Sequence, residues 1–176
     1  MSRAKEIGDI AEALVNYQLS SAGLAMFAPS ASHLPYDLLA DVGNGRFLRI
    51  QVKGASQVRP AQPSYVFNVI TMGRKDGYCI DDLDWFAFAA LDLEQVLYVP
   101  AIDVIEKNTR QFSVPLTRFQ MEAEASKRAL IEEAQRVRDG LSFCEGCGRL
   151  ASCAAYANSD ASENYSCSDC QPNTND

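Results

Sequence analysis

The chain has 176 residues, 47% hydrophobic and 22% charged, which suits one globular domain plus a small appendage. A formal charge of −7 excludes a protein coated in basic residues, though a local basic cleft stays open to it. No apolar run reaches the ~18 residues of a membrane span, and the polar start Met1-Ser2-Arg3-Ala4-Lys5-Glu6 lacks a signal-peptide core.

Residues 3–22 read as a helix, with Ile7, Ile10, Ala11, Leu14 and Tyr17 at three- and four-residue spacing and Gly23 after its end. Residues 24–28 suit a short strand stopped by Pro29. Residues 36–42 and 46–53 are apolar-rich runs joined by Gly43-Asn44-Gly45, a hairpin signal built from residues that tolerate positive φ. Residues 64–70 predict a third long strand, and 71–82 a charged, Gly-containing loop. Trp85–Leu91 and Gln95–Val99 predict two more strands around a turn at Asp92-Leu93-Glu94. Pro100 then opens a short helix to Glu106. A long charge-rich helix is expected over 117–138, with Phe119, Ala123, Leu130, Ile131, Ala134 and Val137 near one side and Gly140 as its stop. The expected fold class is α/β, a mixed central sheet flanked by helices.

Charge and cysteine are unevenly spread. Residues 1–60 carry a net +1, residues 61–140 a net −4 and residues 141–176 a net −4. Five of the six cysteines follow residue 143; Cys79 is the exception and is expected in the core. The expected division is therefore a core over 1–110, a helical connector over 111–140 and a cysteine module with a frayed tail over 141–176.

The first candidate site joins the hairpin to the first helix. Asp37 heads one hairpin strand, and Gln51 and Lys53 lie near the end of its partner. Side chains alternate along a strand, so Gln51 and Lys53 share a face opposite Ile50 and Val52. An antiparallel partner brings Asp37 beside them. Hard divalent cations prefer oxygen, so Asp37, Gln51 and the Val52 carbonyl are candidate Mg²⁺ ligands. Lys53 is placed to orient or help deprotonate a water, or to stabilise phosphate charge. Glu12 lies mid-helix and can reach the same spot, directly or through water. The plain alternative is Asp37 as a turn residue, with Lys53 and Glu12 as solvated charges.

The runs Gly8-Asp9-Ile10-Ala11-Glu12, His33-Leu34-Pro35-Tyr36-Asp37-Leu38 and Gln51-Val52-Lys53, with Trp85-Phe86-Ala87-Phe88 and Val96-Leu97-Tyr98-Val99-Pro100, resemble the PD-(D/E)XK nuclease superfamily. The likeness is to a branch that holds archaeal Holliday junction resolvases and a group I intron homing endonuclease, and it covers about residues 3–106. It implies a restriction-endonuclease-like core and metal-dependent phosphodiester hydrolysis of DNA with Mg²⁺ or Mn²⁺. By that match Glu12, Asp37, Gln51 and Lys53 are the active-site set. Two departures stand out. Pro-Asp is here Pro-Tyr-Asp, and the acidic residue of the D/E-x-K element is Gln51. An amide still offers oxygen but removes one negative charge, so metal affinity is expected to fall and to recover with substrate phosphate. A cleavage-inactive module that holds DNA or protein is the alternative.

The second candidate site is Cys144-Glu145-Gly146-Cys147 with Cys167-Ser168-Asp169-Cys170, two Cys-x-x-Cys pairs nineteen residues apart. The absence of a signal core leads to an expected cytoplasmic location, where thiols stay reduced. Four thiolates suit tetrahedral Zn²⁺, and Cys153 is a spare. A redox pair is the rival reading. One basic residue, Arg149, against five acidic ones makes this module a poor wrapper of phosphate. It is expected to staple a short tail or to contact protein, and a zinc-dependent interaction protein is a third reading of the whole chain. His33, Ser56, Gln57, Arg46, Arg49, Arg59, Arg74 and Lys75 are candidate cleft or DNA-flanking residues, while Trp85 and Phe86 read as core. One active site cuts one strand, so duplex cleavage favours a homodimer or higher homo-oligomer.

Overall fold

The computed structural model describes residues 2–31, 33–58, 63–69, 78–139, 141–143, 150–152, 154–157 and 163–166. Helix α1 (Arg3–Ser21) starts where the Ser2 hydroxyl accepts from the Lys5 N–H. It ends in a Schellman turn: Gly23 at φ +91° lets Leu24 N–H reach the Leu19 carbonyl and Gly23 N–H the Ser20 carbonyl. Strands β1 (Ala25–Phe27), β2 (Leu38–Gly43) and β3 (Arg46–Ala55) follow. The β2–β3 hairpin closes as predicted, with Asn44 at φ 56° and Gly45 at φ 73° between paired Gly43 and Arg46.

The sheet order is β1-β2-β3-β5-β6, where β5 is Trp85–Ala90 and β6 is Gln95–Pro100. Only the β3–β5 pairing is parallel, so the sheet is mixed. A parallel pair is buried on both faces, which is why Trp85-Phe86-Ala87-Phe88-Ala89-Ala90 is buried throughout. Its large and small residues sort by face. Phe86 and Phe88 join one aromatic cluster, in which Phe88 stacks on Phe112 at 4.7 Å between ring centroids. The shared core of that face includes Tyr65, Phe67, Leu97, Val99, Val114 and Phe119.

Two predicted features are corrected here. Strand β4 (Ser64–Asn68) is not part of the central sheet: it pairs with β7 (Gln111–Pro115), a strand the sequence reading assigned to none. This ribbon lays Tyr65, Phe67, Phe112 and Val114 on the cluster, so burial rather than sheet membership explains the apolar run at 64–70. The expected α1 stripe is also rotated. Ala11, Val15 and Leu19 are buried, whereas Ile10 is 50% and Tyr17 is 70% exposed. Packing selects the small residue: a Cβ on Gly54 of β3 would lie 2.8 Å from the Ala11 Cβ and 3.0 Å from the Ile7 carbonyl oxygen. The helix therefore rests almost backbone to backbone on β3.

A 3₁₀ turn (Ile80–Asp82) precedes β5, and α2 (Ala101–Ile105) follows β6 with Pro100 as its N-cap. Cys79 is exposed, which corrects its expected place in the core: it caps the 3₁₀ turn by donating its N–H to Asp82 at 3.0 Å. Helix α3 (Leu116–Arg138) buries Phe119, Ala123, Leu130 and Ala134, the side predicted for it. The chain divides into two units, Met1–Ile131 and Glu132–Asp176. Among its described residues the second contains two antiparallel pairs, β8 (Leu141–Phe143) with β9 (Leu150–Ser152) and β10 (Ala154–Ala157) with β11 (Glu163–Ser166). The expected zinc ligands Cys144, Cys147, Cys167 and Cys170, and the spare Cys153, lie outside the described residues. Among the described residues, no helix is long and apolar enough to cross a membrane.

Candidate active site

The site forms where β2 and β3 part. Their ladder runs from Gly43–Arg46 to Leu38–Ile50, and Asp37 N–H still donates to the Ile50 carbonyl at 3.0 Å. Beyond that point Pro35-Tyr36 carries the chain out of the sheet. The Asp37 carboxylate then takes the place of ladder backbone: its Oδ2 accepts from the Val52 N–H at 2.8 Å. That bond fixes the carboxylate against the β3 edge.

Gln51 is 5% exposed and its Nε2 donates both to Asp37 Oδ2 and to the Val52 carbonyl, the latter at 3.2 Å. Chemistry dictates this orientation, because a carboxylate and a carbonyl can only accept. Asp37, Gln51 and the Val52 carbonyl therefore meet at one point. Burial raises the Asp37 pKa above its usual value, opposed by the Val52 N–H, by the Lys53 charge and by the Gln51 amide. Glu12 is half-buried on α1, and its pKa is also raised, first by burial and then by the Asp37 and Asp9 charges. Lys53 pulls both carboxylates the other way, which puts Glu12, Asp37 and Lys53 within one field. Among the described residues Lys53 makes no ion pair; its ammonium sits 5.5 Å from the centre of the Tyr78 ring.

The donor set is entirely oxygen once the Gln51 amide turns its Oε1 inward. Two carboxylates, an amide and a backbone carbonyl fit a hard divalent cation and do not fit a thiophilic one. Gln51 in place of an acid leaves only two carboxylates here. Accordingly, no group of three or more His, Cys, Asp or Glu side chains gathers among the described residues.

Other candidates divide. Arg49 is not a free cation for DNA: its Nε and Nη2 fork onto Asp84 at 3.1 and 3.0 Å, its backbone N–H reaches the same carboxylate at 2.7 Å, and its Nη1 reaches the Asp81 carbonyl. That pairing holds the turn before β5 to β3, and it raises the guanidinium pKa further. His33 and Gln57 are exposed, Ser56 is half-buried, and Trp85 and Phe86 are buried core. Arg59, Arg74 and Lys75 lie outside the described residues. Gly54 was missed as a site residue. Its signal is a glycine inside a strand pattern, directly after Lys53, which marks a close backbone approach. That approach seats α1, the helix that carries Glu12, on β3.

A model of the PD-(D/E)XK endonuclease family matches residues 2–134. No curated protein matches the chain. Among solved structures, the chain is similar to a bacterial homing endonuclease, I-Ssp6803I, with a TM-score of 0.58 and 24% sequence identity. The match covers 77% of this chain and 94% of that one, and at this identity it speaks for the fold. The family match spans both the helix that carries Glu12 and the hairpin that carries Asp37, Gln51 and Lys53, and the chain belongs to the PD-(D/E)XK endonuclease family.

Proposed function

We propose that the chain is a divalent-metal-dependent endonuclease, using Mg²⁺ or Mn²⁺ to hydrolyse phosphodiester bonds in duplex or branched DNA. The observation that carries this reading is the convergence of Asp37, Gln51 and the Val52 carbonyl at the strand fork, with Glu12 within the fields of Asp37 and Lys53, and with Lys53 in no ion pair among the described residues. Asp37 and the Val52 carbonyl would hold the cation, Gln51 would join them through Oε1 once its amide turned, and Glu12 would complete the set directly or through water. A cation held there supplies neutralisation of phosphate charge and acidifies water. Lys53 directs its ammonium at the scissile phosphate, where negative charge grows in the transition state. Water forms the new bond to phosphorus as the bond to the sugar oxygen breaks; the attacking water gives its proton to solvent and the leaving oxygen takes one from solvent, with no covalent bond to the protein.

Membership of the resolvase and homing-endonuclease branch, a cytoplasmic location and a two-fold assembly that presents one site to each strand belong to the same proposal. So does a structural Zn²⁺ on Cys144, Cys147, Cys167 and Cys170. Zinc near one ion per chain in protein purified without added metal supports that part; substoichiometric zinc overturns it. The enzyme reading is tested on supercoiled, linear and four-way branched DNA with Mg²⁺ or Mn²⁺. Wild type is expected to nick at least one substrate and Lys53→Ala none. Retention of DNA without cleavage by wild type would favour a cleavage-inactive binding module.

A further inference from the structure

We propose that Tyr78 is a positioning residue for Lys53, and so for the cleavage chemistry. This rests on the nuclease reading above for its kinetic consequence, though not for its geometry. A lysine at the end of four methylenes is poorly oriented unless something holds it. A carboxylate partner would orient the ammonium but would also neutralise it and occupy its N–H donors. Among the described residues Lys53 has no such partner. Instead its Nζ lies 5.5 Å from the centroid of the Tyr78 ring, within reach of the negative face of the π system. A π face narrows the position of an ammonium while leaving its three donors for a phosphate or a water.

The ring is itself fixed. Tyr78 is buried and meets Phe86 edge to face, with centroids 5.3 Å apart and planes at 87°. Phe86 pairs in register with Gln51, and Phe88 with Lys53, across the parallel β3–β5 ladder. Tyr78 is thus held by the residue that flanks the candidate ligand Gln51, while it holds the neighbouring lysine. The hydroxyl has no part in this; the aromatic face is the functional element.

The test compares Tyr78→Phe, which keeps the face, with Tyr78→Leu, which removes it. Tyr78→Met replaces the second should leucine not fold. Two readouts apply to the full chain. By NMR, the Lys53 Hε protons are expected upfield of the other lysines in wild type and Tyr78→Phe, and at ordinary shifts in Tyr78→Leu. In single-turnover cleavage, Tyr78→Leu is expected to lower the rate roughly 2- to 30-fold with DNA affinity unchanged, and Tyr78→Phe to stay within about twofold of wild type. Unshifted Lys53 protons in wild type overturn the proposal. So does a Tyr78→Phe rate as low as that of Tyr78→Leu, or a Tyr78→Leu rate equal to wild type. Shifted Lys53 protons in a wild type that never cleaves uphold the geometry and remove the nuclease reading instead.

Discussion

Replacing Gln51 by glutamate restores the acid of the family pattern, and the structure predicts that this destabilises the protein whenever divalent metal is withheld. The two side chains are nearly isosteric, so packing around this 5% exposed position is preserved. What changes is hydrogen bonding. The amide donates to Asp37 Oδ2 and to the Val52 carbonyl, and a carboxylate can donate to neither. Asp37 Oδ2 keeps its bond from the Val52 N–H, but the Val52 carbonyl loses the Gln51 donor, and an unpaired buried acceptor costs about 1–3 kcal/mol. Two carboxylates in contact add repulsion of up to about 4 kcal/mol at an effective dielectric near 20, part of which protonation relieves. One lost bond and the repulsion that protonation leaves together predict a net loss of about 3 kcal/mol in EDTA at neutral pH. The introduced carboxyl has a folded pKa raised above its unfolded value, so the electrostatic part of the loss is full above that folded pKa, shrinks as pH falls below it and is gone below the unfolded value. A divalent cation reverses the sign, because the extra charge strengthens binding and binding stabilises by RT ln(1 + [L]/Kd). Urea unfolding of wild type and Gln51→Glu, in EDTA and in millimolar Mg²⁺, measures both effects. Equal stability in EDTA, or the same Mg²⁺ stabilisation in both proteins, would show that Gln51 does not play this part.

Three further outcomes are expected of the packing and charges around the fork. Gly54→Ala places a methyl 2.8 Å from the Ala11 Cβ and should cost about 1–3 kcal/mol in thermal or urea unfolding, with a loss of cleavage as α1 and Glu12 are pushed from the fork. Asp84→Ala removes the acceptor of three Arg49 bonds and should cost about 1–2 kcal/mol by urea unfolding, less at high salt. Burial raises the Asp37 pKa, so its charged form lowers native stability at neutral pH and the penalty is absent below the unfolded value of 3.8. Asp37→Asn, whose amide oxygen can still accept from Val52, should therefore be more stable than wild type in EDTA at neutral pH. Denaturation midpoints across pH should show the difference shrinking as pH falls, and a constant difference would refute it.

Local chemistry made the hairpin, both long helices and the grouping of Asp37 with Gln51 and Lys53 readable in advance. The positive-φ pair Asn44-Gly45 and the alternation along β3 are short-range signals. What escaped depended on distant partners. Strand β7 is five residues long, and its apolar Phe112 and Val114 acquire meaning only beside β4, far away in sequence. The α1 face was misjudged because periodicity weighs hydrophobicity, whereas the contact with Gly54 selects for small size at Ala11. Arg49 read as a candidate DNA-flanking cation because its partner, Asp84, lies on another strand's approach. Tyr78 carried no local signal at all, since its role comes from standing over a lysine on β3.

Single-turnover strand cleavage of duplex DNA in Mg²⁺ by wild type and by Asp37→Ala decides whether the fork is the active site. Asp37 holds the Val52 N–H and faces Gln51, so its removal dismantles the donor set at the fork. The predicted result is Mg²⁺-dependent cleavage by wild type that EDTA abolishes and Asp37→Ala lacks. Cleavage by Asp37→Ala at the wild-type rate would contradict the assignment of this fork as the active site.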